Sequence, residues 1–133
     1  MQYGDADTTY KAVGCEAGIL QLVDHFYDIM QESYPLIFSW HPDDNGLSRD
    51  KLARFLSGWM GGPRQFKEKY GPINLPHAHA HLNVTFKERD QWLECMAEAL
   101  ERMHYPMDLQ SYLIEQMTVP AERIRQVCDS RTS

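Results

Sequence analysis

Three of the six histidines in this chain are crowded into one short segment, at His77, His79 and His81. Neutral imidazole is a good ligand for zinc or nickel, and a single imidazole also serves as the axial ligand of a haem iron. A closed zinc shell needs further ligands, but no carboxylate or cysteine lies within five residues of this segment. Spacing alone leaves three interpretations open: a solvated loop, a divalent metal site, and a single ligand to haem.

Two aromatic residues with a polar atom, Tyr27 and Trp92, lie on the apolar stripes of predicted helices. A buried phenol O–H or indole N–H needs an acceptor, and a backbone carbonyl is the ordinary one. Two such donors pointing into one pocket would instead bind a polar ligand, and periodicity does not decide between these interpretations. The chain contains no Walker loop, dinucleotide glycine fingerprint, paired CxxC or nucleophile elbow.

The apolar periodicity that must position these residues is helical throughout, which predicts an all-α fold with four long helices. A short helical turn is expected around Thr9–Val13. The first long helix is expected over Cys15–Glu32, and the second begins with Ser48 as its N-cap and stops at Gly61-Gly62-Pro63. The third begins at the capping box Thr85–Glu88 and ends before Pro106. The fourth begins with Asp108 as its cap and is expected to kink at Pro120.

Length and charge narrow the function classes. A chain of 133 residues has room for one domain, so we expect a single domain over residues 1–133. A net charge of −6 repels phosphate backbones and disfavours nucleic-acid binding. The apolar runs are far shorter than the ~20 residues of a membrane span. Cys15, Cys95 and Cys128 are odd in number and widely spaced, as expected of reduced thiols in a cytoplasm.

Four blocks follow one another along the chain: VDHFYD at Val23–Asp28, WHP at Trp40–Pro42, FLSGWMGGP at Phe55–Pro63, and ERDQWLECM at Glu88–Met96. Together they resemble the truncated haemoglobins of the second group, the bacterial two-over-two globins, over residues 8 to 127. The resemblance implies a truncated globin fold, which is a two-over-two helical sandwich around haem. It also implies haem b as the iron-containing cofactor.

The resemblance further implies roles for individual residues. In that family the axial histidine lies thirteen residues before the tryptophan of the last block, which makes His79 the proximal ligand to the iron and not His81. The polar distal positions, which donate hydrogen bonds to a bound ligand, correspond to Tyr27, His41 and Trp92. Ser48 stands where larger globins have a distal histidine. The positions that pack on the porphyrin correspond to Leu52, Phe55 and Leu56.

The chain departs from the family where the haem propionates are usually held. Ala78 occupies the position at which family members commonly have an arginine, and His81-Leu82 replaces the usual proline–aromatic pair. The nearest cationic candidates in this chain come after Gly62, and they are Arg64, Lys67 and Lys69.

The function implied by the resemblance is reversible binding of oxygen, carbon monoxide and nitric oxide. Donors aimed at oxygen slow its release, because the ligand draws negative charge onto itself. Tight retention suits oxidation of nitric oxide, reduction of nitrite or turnover of peroxide, with a reductase as partner where electrons are needed. His41 could pass a proton near neutral pH. Two alternatives stay open: a sensor or scavenger without turnover, and a haem-free metal-binding module built on the histidine segment.

Overall fold

The computed structural model describes residues 3–40, 45–72, 82 and 84–132, and the chain is largely helical across these ranges. No strand occurs in them, so the predicted all-α class is confirmed. The helices are α1 (Thr8–Ala12), α2 (Cys15–Ser33), α3 (Pro35–Phe38), α4 (Gly46–Trp59), α5 (Gln65–Tyr70), α6 (Phe86–Arg102) and α7 (Met107–Thr132). None of these helices is both long enough and apolar enough to cross a membrane.

Helices α2, α4, α6 and α7 are the four long helices that the apolar stripes predict. Helix α2 contacts both α4 and α6, and α7 packs against α6. The core between them is closed by side chains with almost no exposed surface, namely Leu22, Val23, Phe26, Met30, Met96, Ala99, Leu100, Leu109 and Leu113. Burial of this continuous apolar surface is the main favourable term that holds the helices together. Helix α2 is therefore held from two sides, and so is the tyrosine that it carries.

Two predicted helix starts are wrong. Ser48 is not an N-cap, because α4 begins at Gly46 and its first turn is closed by the Arg49 N–H, which donates to the Asn45 carbonyl at 2.9 Å. Asp108 lies inside the first turn of α7, where its carboxylate accepts the Leu109 N–H at 2.9 Å. In both cases residues before the expected cap already have helical geometry, which a search for capping side chains does not detect.

The predicted capping box at the start of α6 is confirmed. The Thr85 hydroxyl oxygen accepts the Lys87 N–H at 3.3 Å, and the Glu88 carboxylate accepts the Thr85 N–H at 3.0 Å. These bonds satisfy amide groups that a helix start leaves without partners. They fix where α6 begins, and hence the register that places Trp92 toward the core.

The predicted stop after α4 is confirmed and is tightly packed. Gly61 has φ of +91°, and a Cβ there would lie 2.0 Å from the Ala6 carbonyl oxygen, so only glycine fits. The Tyr10 ring lies against Gly62, and the Tyr10 N–H donates to the Met60 carbonyl at 3.0 Å. The segment before α2 thus covers the turn from which the chain leaves α4 toward α5.

Candidate functional site

Tyr27 lies in the middle of α2 with only 4% of its surface exposed. Burial raises the pKa of its hydroxyl to about 12, although the nearby cationic Arg49 acts in the opposite direction. The group therefore keeps its proton at neutral pH and acts as a donor. Its hydroxyl donates to the backbone carbonyl of Ser48 at 3.5 Å, which is at the long limit of hydrogen bonding. The structure thus brings together two of the predicted distal residues, Tyr27 and Ser48.

Arg49 fastens α4 to α2 beside this contact. Its guanidinium donates to the carboxylate of Asp24 at 2.9 Å and to that of Asp28 at 3.0 Å, and it lies 5.4 Å from the centre of the Tyr27 ring. The next residue back along α4 is Ser48, so this clamp holds the Ser48 carbonyl near the tyrosine. Sequence reasoning missed Arg49. The acidic pair Asp24 and Asp28, one helical turn apart, indicates that a cation is needed there but does not identify Arg49 as that cation.

Trp92 on α6 reaches the same region through Phe26. Its ring centre lies 5.2 Å from that of Phe26, and the Phe26 ring is 5.4 Å from that of Tyr27, both in edge-to-face contacts. Trp92 is partly buried, and its indole N–H has no acceptor among the described residues. The preceding side chain, Gln91, has a buried Oε1 atom that also lacks a partner among them. Buried polar atoms are almost always satisfied, so we expect the Gln91 Oε1 atom to accept a hydrogen bond from a group outside the described residues.

Helix α4 supplies the apolar wall that the resemblance implies. Leu56 is 2% exposed and belongs to the core, whereas Leu52 and Phe55 are only partly buried. Beyond Phe55 lies an open cavity of about 230 Å³ between α4 and α5, which we call the α4–α5 groove. The groove is lined by Arg54, Phe55, Gly58, Trp59, Arg64, Phe66, Lys67, Gly71 and Pro72. Its surface combines aromatic rings with several cations.

One end of α5 is tied to α4 by Asp50. Its carboxylate accepts the Tyr70 hydroxyl at 2.5 Å, the Lys69 ammonium at 3.0 Å and the Arg54 guanidinium at 3.0 Å. These bonds lower the pKa of Asp50 to about 2, and the bond from Tyr70 has the largest effect. Asp50 therefore joins α4 to α5. Lys69, one of the three cationic candidates, is already paired here.

The histidines that carry most of the predicted iron chemistry lie outside the described residues. This applies to His41 and to the segment that contains His77, His79 and His81, together with Ala78. Within the described ranges, no group of three or more histidine, cysteine or acidic side chains could hold a metal ion. The proximal ligand and the third distal donor stay predictions.

The described residues fit a flat, largely apolar cofactor with polar groups at its edge. Leu52 and Phe55 present apolar surface that the protein itself leaves partly uncovered. Tyr27 is a buried, protonated donor, which suits a ligand that carries negative charge. Haem combines a broad apolar ring with a polar gas ligand, and these are the parts that the apolar side chains of α4 and the Tyr27 hydroxyl would contact.

Comparison with known proteins yields one consistent group. Residues 8–126 match the model of the bacterial-like globin family. The chain is 30% identical to the group 2 truncated haemoglobin YjbI of Bacillus subtilis strain 168 over 115 residues, 86% of each protein. It superposes with a TM-score of 0.82 on a cold-adapted truncated haemoglobin from the Antarctic marine bacterium Pseudoalteromonas haloplanktis TAC125, at 33% identity over 88% of this chain and 96% of that one. A truncated oxygen-avid haemoglobin from Bacillus subtilis matches with a TM-score of 0.80, at 29% identity over 87% of this chain and 97% of that one.

Proposed function

Because the chain belongs to the bacterial-like globin family, as a group II truncated haemoglobin, we propose that it binds haem b through His79 and holds oxygen and other diatomic gases reversibly. Haem, when bound, supplies an iron atom that binds such gases. The observation that carries the proposal is the buried, protonated Tyr27 beside Ser48, with the apolar wall of α4 next to it. One globin domain over residues 1–133, in the cytoplasm, is part of this proposal.

On the distal side, Tyr27 acts as the first donor to the gas ligand. Its bond to the Ser48 carbonyl is 3.5 Å long, and a gas ligand that carries negative charge offers the hydroxyl a stronger acceptor. A donor to a charged acceptor contributes ~1.5–3 kcal/mol, which corresponds to a release roughly 10- to 100-fold slower. Trp92 and His41 are the further donors in this proposal. The description of the B. subtilis protein as oxygen-avid supports slow release as the property of this pocket.

A pocket that releases oxygen slowly is better suited to a reaction of the bound ligand than to oxygen delivery. We therefore extend the proposal to oxidation of nitric oxide and turnover of nitrite or peroxide. Where reduction is needed, a reductase is the partner. A ligand sensor or scavenger without turnover is the competing function. Turnover of these substrates at physiological rates, with a reductase added, distinguishes the two, because a scavenger binds its ligand once and then stops.

The decisive experiment is a visible absorption spectrum of the purified protein in its ferric and ferrous forms. We expect a strong Soret band. A protein that shows no Soret band after incubation with haem and removal of the unbound cofactor refutes the proposal. That result favours the haem-free metal module at the histidine segment. His79→Ala should lose haem, whereas His81→Ala should keep a normal five-coordinate ferrous spectrum. The reverse result would mean that the proximal ligand is His81.

A further inference from the structure

We propose that Arg64 and Lys67, at the rim of the α4–α5 groove, bind the two carboxylates of haem and so anchor the cofactor at its edge. The inference rests on the haem binding proposed above and assigns the residues that hold the anionic side of the ligand.

The floor of the groove suits one edge of an aromatic macrocycle. Phe55 and Phe66 meet edge to face with ring centres 6.5 Å apart, and Trp59 extends the same surface. A cavity of about 230 Å³ is smaller than the whole macrocycle, so the groove receives only part of it. Phe55 links the groove to the apolar wall of α4 that carries Leu52, and a flat ligand can therefore contact both surfaces.

The charges around the groove are not equally available. Arg54 and Lys69 are bound to the carboxylate of Asp50, each at 3.0 Å. Arg64 and Lys67 are exposed and have no carboxylate partner among the described residues. Two cations that have no carboxylate partner in the described part of the chain, beside an apolar floor, stand out in a protein with a net charge of −6. A ligand with an apolar body and two carboxylates complements this arrangement, whereas a fatty acid would leave one cation unpaired.

Arg64 lies against the surface of α4 beside Gly58. A Cβ at Gly58 would lie 3.4 Å from the Arg64 Cα atom and 3.6 Å from its Cγ atom. The stem of Arg64 therefore runs along the helix surface, and its guanidinium extends toward solvent at the rim. A guanidinium held by its stem is suited to paired hydrogen bonds with a carboxylate. Lys67 stands three residues further along, in α5, and supplies the second charge.

The test measures how fast haem leaves the protein for an excess of apomyoglobin. The double variant Arg64→Gln/Lys67→Gln is compared with Lys87→Gln/Arg123→Gln, which removes two exposed cations from α6 and α7. Each protein is loaded with haem or with haem dimethyl ester, which lacks the carboxylates. We expect the groove variant to release haem about 2- to 30-fold faster, the range for two solvent-exposed ion pairs. Release of the ester should not change, and the control should match the unmodified protein for both ligands.

A salt titration of the unmodified protein keeps the proposal testable even if the double variant folds poorly. Screening of exposed ion pairs should speed release of haem as ionic strength rises, with little effect on the ester. Equal release rates from the groove variant and the unmodified protein would overturn the assignment of Arg64 and Lys67. Equal acceleration of haem and ester, together with salt-independent release of haem, would also overturn it. Failure of the unmodified protein to take up haem at all would instead refute the proposed function.

Discussion

Replacing Tyr27 by Phe removes a single hydroxyl group and leaves the ring in its contact with Phe26, 5.4 Å between centres. The hydroxyl donates to the Ser48 carbonyl at 3.5 Å, and we expect its loss to lower the free energy of unfolding by about 0.5–1.5 kcal/mol, as for an ordinary hydrogen bond. The same hydroxyl should contribute more to a gas ligand that carries negative charge. We expect oxygen to leave the variant roughly 10- to 100-fold faster.

The measurement is the rate of oxygen release by stopped-flow mixing, with carbon monoxide release as an internal comparison. Carbon monoxide draws less negative charge than oxygen, so its release should change little. Tyr105→Phe is the matched control, because burial raises the pKa of Tyr105 to about 12 as well, but its hydroxyl donates to the Val13 carbonyl at 2.6 Å. The control should lose stability and leave both gas release rates unchanged.

The reasoning fails if Tyr27→Phe changes the release of the two gases by the same factor. In that case the hydroxyl governs access or packing, and the donor role of Tyr27 must be given up. An unchanged oxygen release rate would refute it as well. A loss in the free energy of unfolding well above ~1.5 kcal/mol in Tyr27→Phe would also contradict the reasoning, because the hydroxyl would then serve mainly to stabilise the fold.

Three further predictions concern stability and reactivity. Gly61→Ala should lower the free energy of unfolding by more than ~1–3 kcal/mol in urea titrations, since φ is +91° and the new Cβ would lie 2.0 Å from the Ala6 oxygen. Gly71→Ala, with φ of +84° and no atom of the described residues within 4 Å of its Cβ, should show the conformational cost alone, and equal losses would contradict the packing argument. Burial raises the pKa of the Cys95 thiol to about 12, so iodoacetamide at pH 8 should modify the exposed Cys15 and spare Cys95 until the protein unfolds, as read by peptide mass. The folded state lowers the pKa of Asp50 to about 2. The ionised Asp50 carboxylate therefore stabilises the fold fully above the unfolded pKa of ~3.9, and this stabilisation is lost as pH falls toward 2. The stability difference between the unmodified protein and Asp50→Asn should shrink over that window, and a difference that persists at pH 2 would contradict the ionic brace.

Sequence patterns predict most of the helices because the signal is local. The apolar stripe of α2 and the Thr85–Glu88 capping box each lie within a few turns of one helix, and both appear where they are expected. The start of α4 is misjudged because Ser48 is a good capping residue by type. The chain instead begins the helix earlier, with the Asn45 side chain accepting from Arg49 at 3.0 Å.

The parts of the candidate site that the sequence could not supply are contacts between helices. Arg49 reaches Asp24 from 25 positions away, and Tyr70 reaches Asp50 from 20. Nothing in the local pattern around either donor identifies its acceptor, since the pairing depends on how α2, α4 and α5 are packed. The same holds for Phe26, which contacts Trp92 only because α2 and α6 are adjacent. His79 and His41 lie outside the described residues, so their roles are still those that the family resemblance implies.

The packing of Ala6 and Tyr10 on the turn after α4 has a consequence for the order in which the protein assembles. These contacts join positions fifty or more residues apart in the sequence, so they form only after the entropy of a long loop has been lost. The α4–α5 groove begins at that turn and includes Gly58 and Arg64. Its final shape should therefore appear together with the core, whose own bond from the Cys95 thiol to the Phe26 carbonyl spans 69 positions. A cofactor that needs the groove would then find its complete binding surface only once these long-range contacts have formed, and would not serve as the nucleus around which the core condenses.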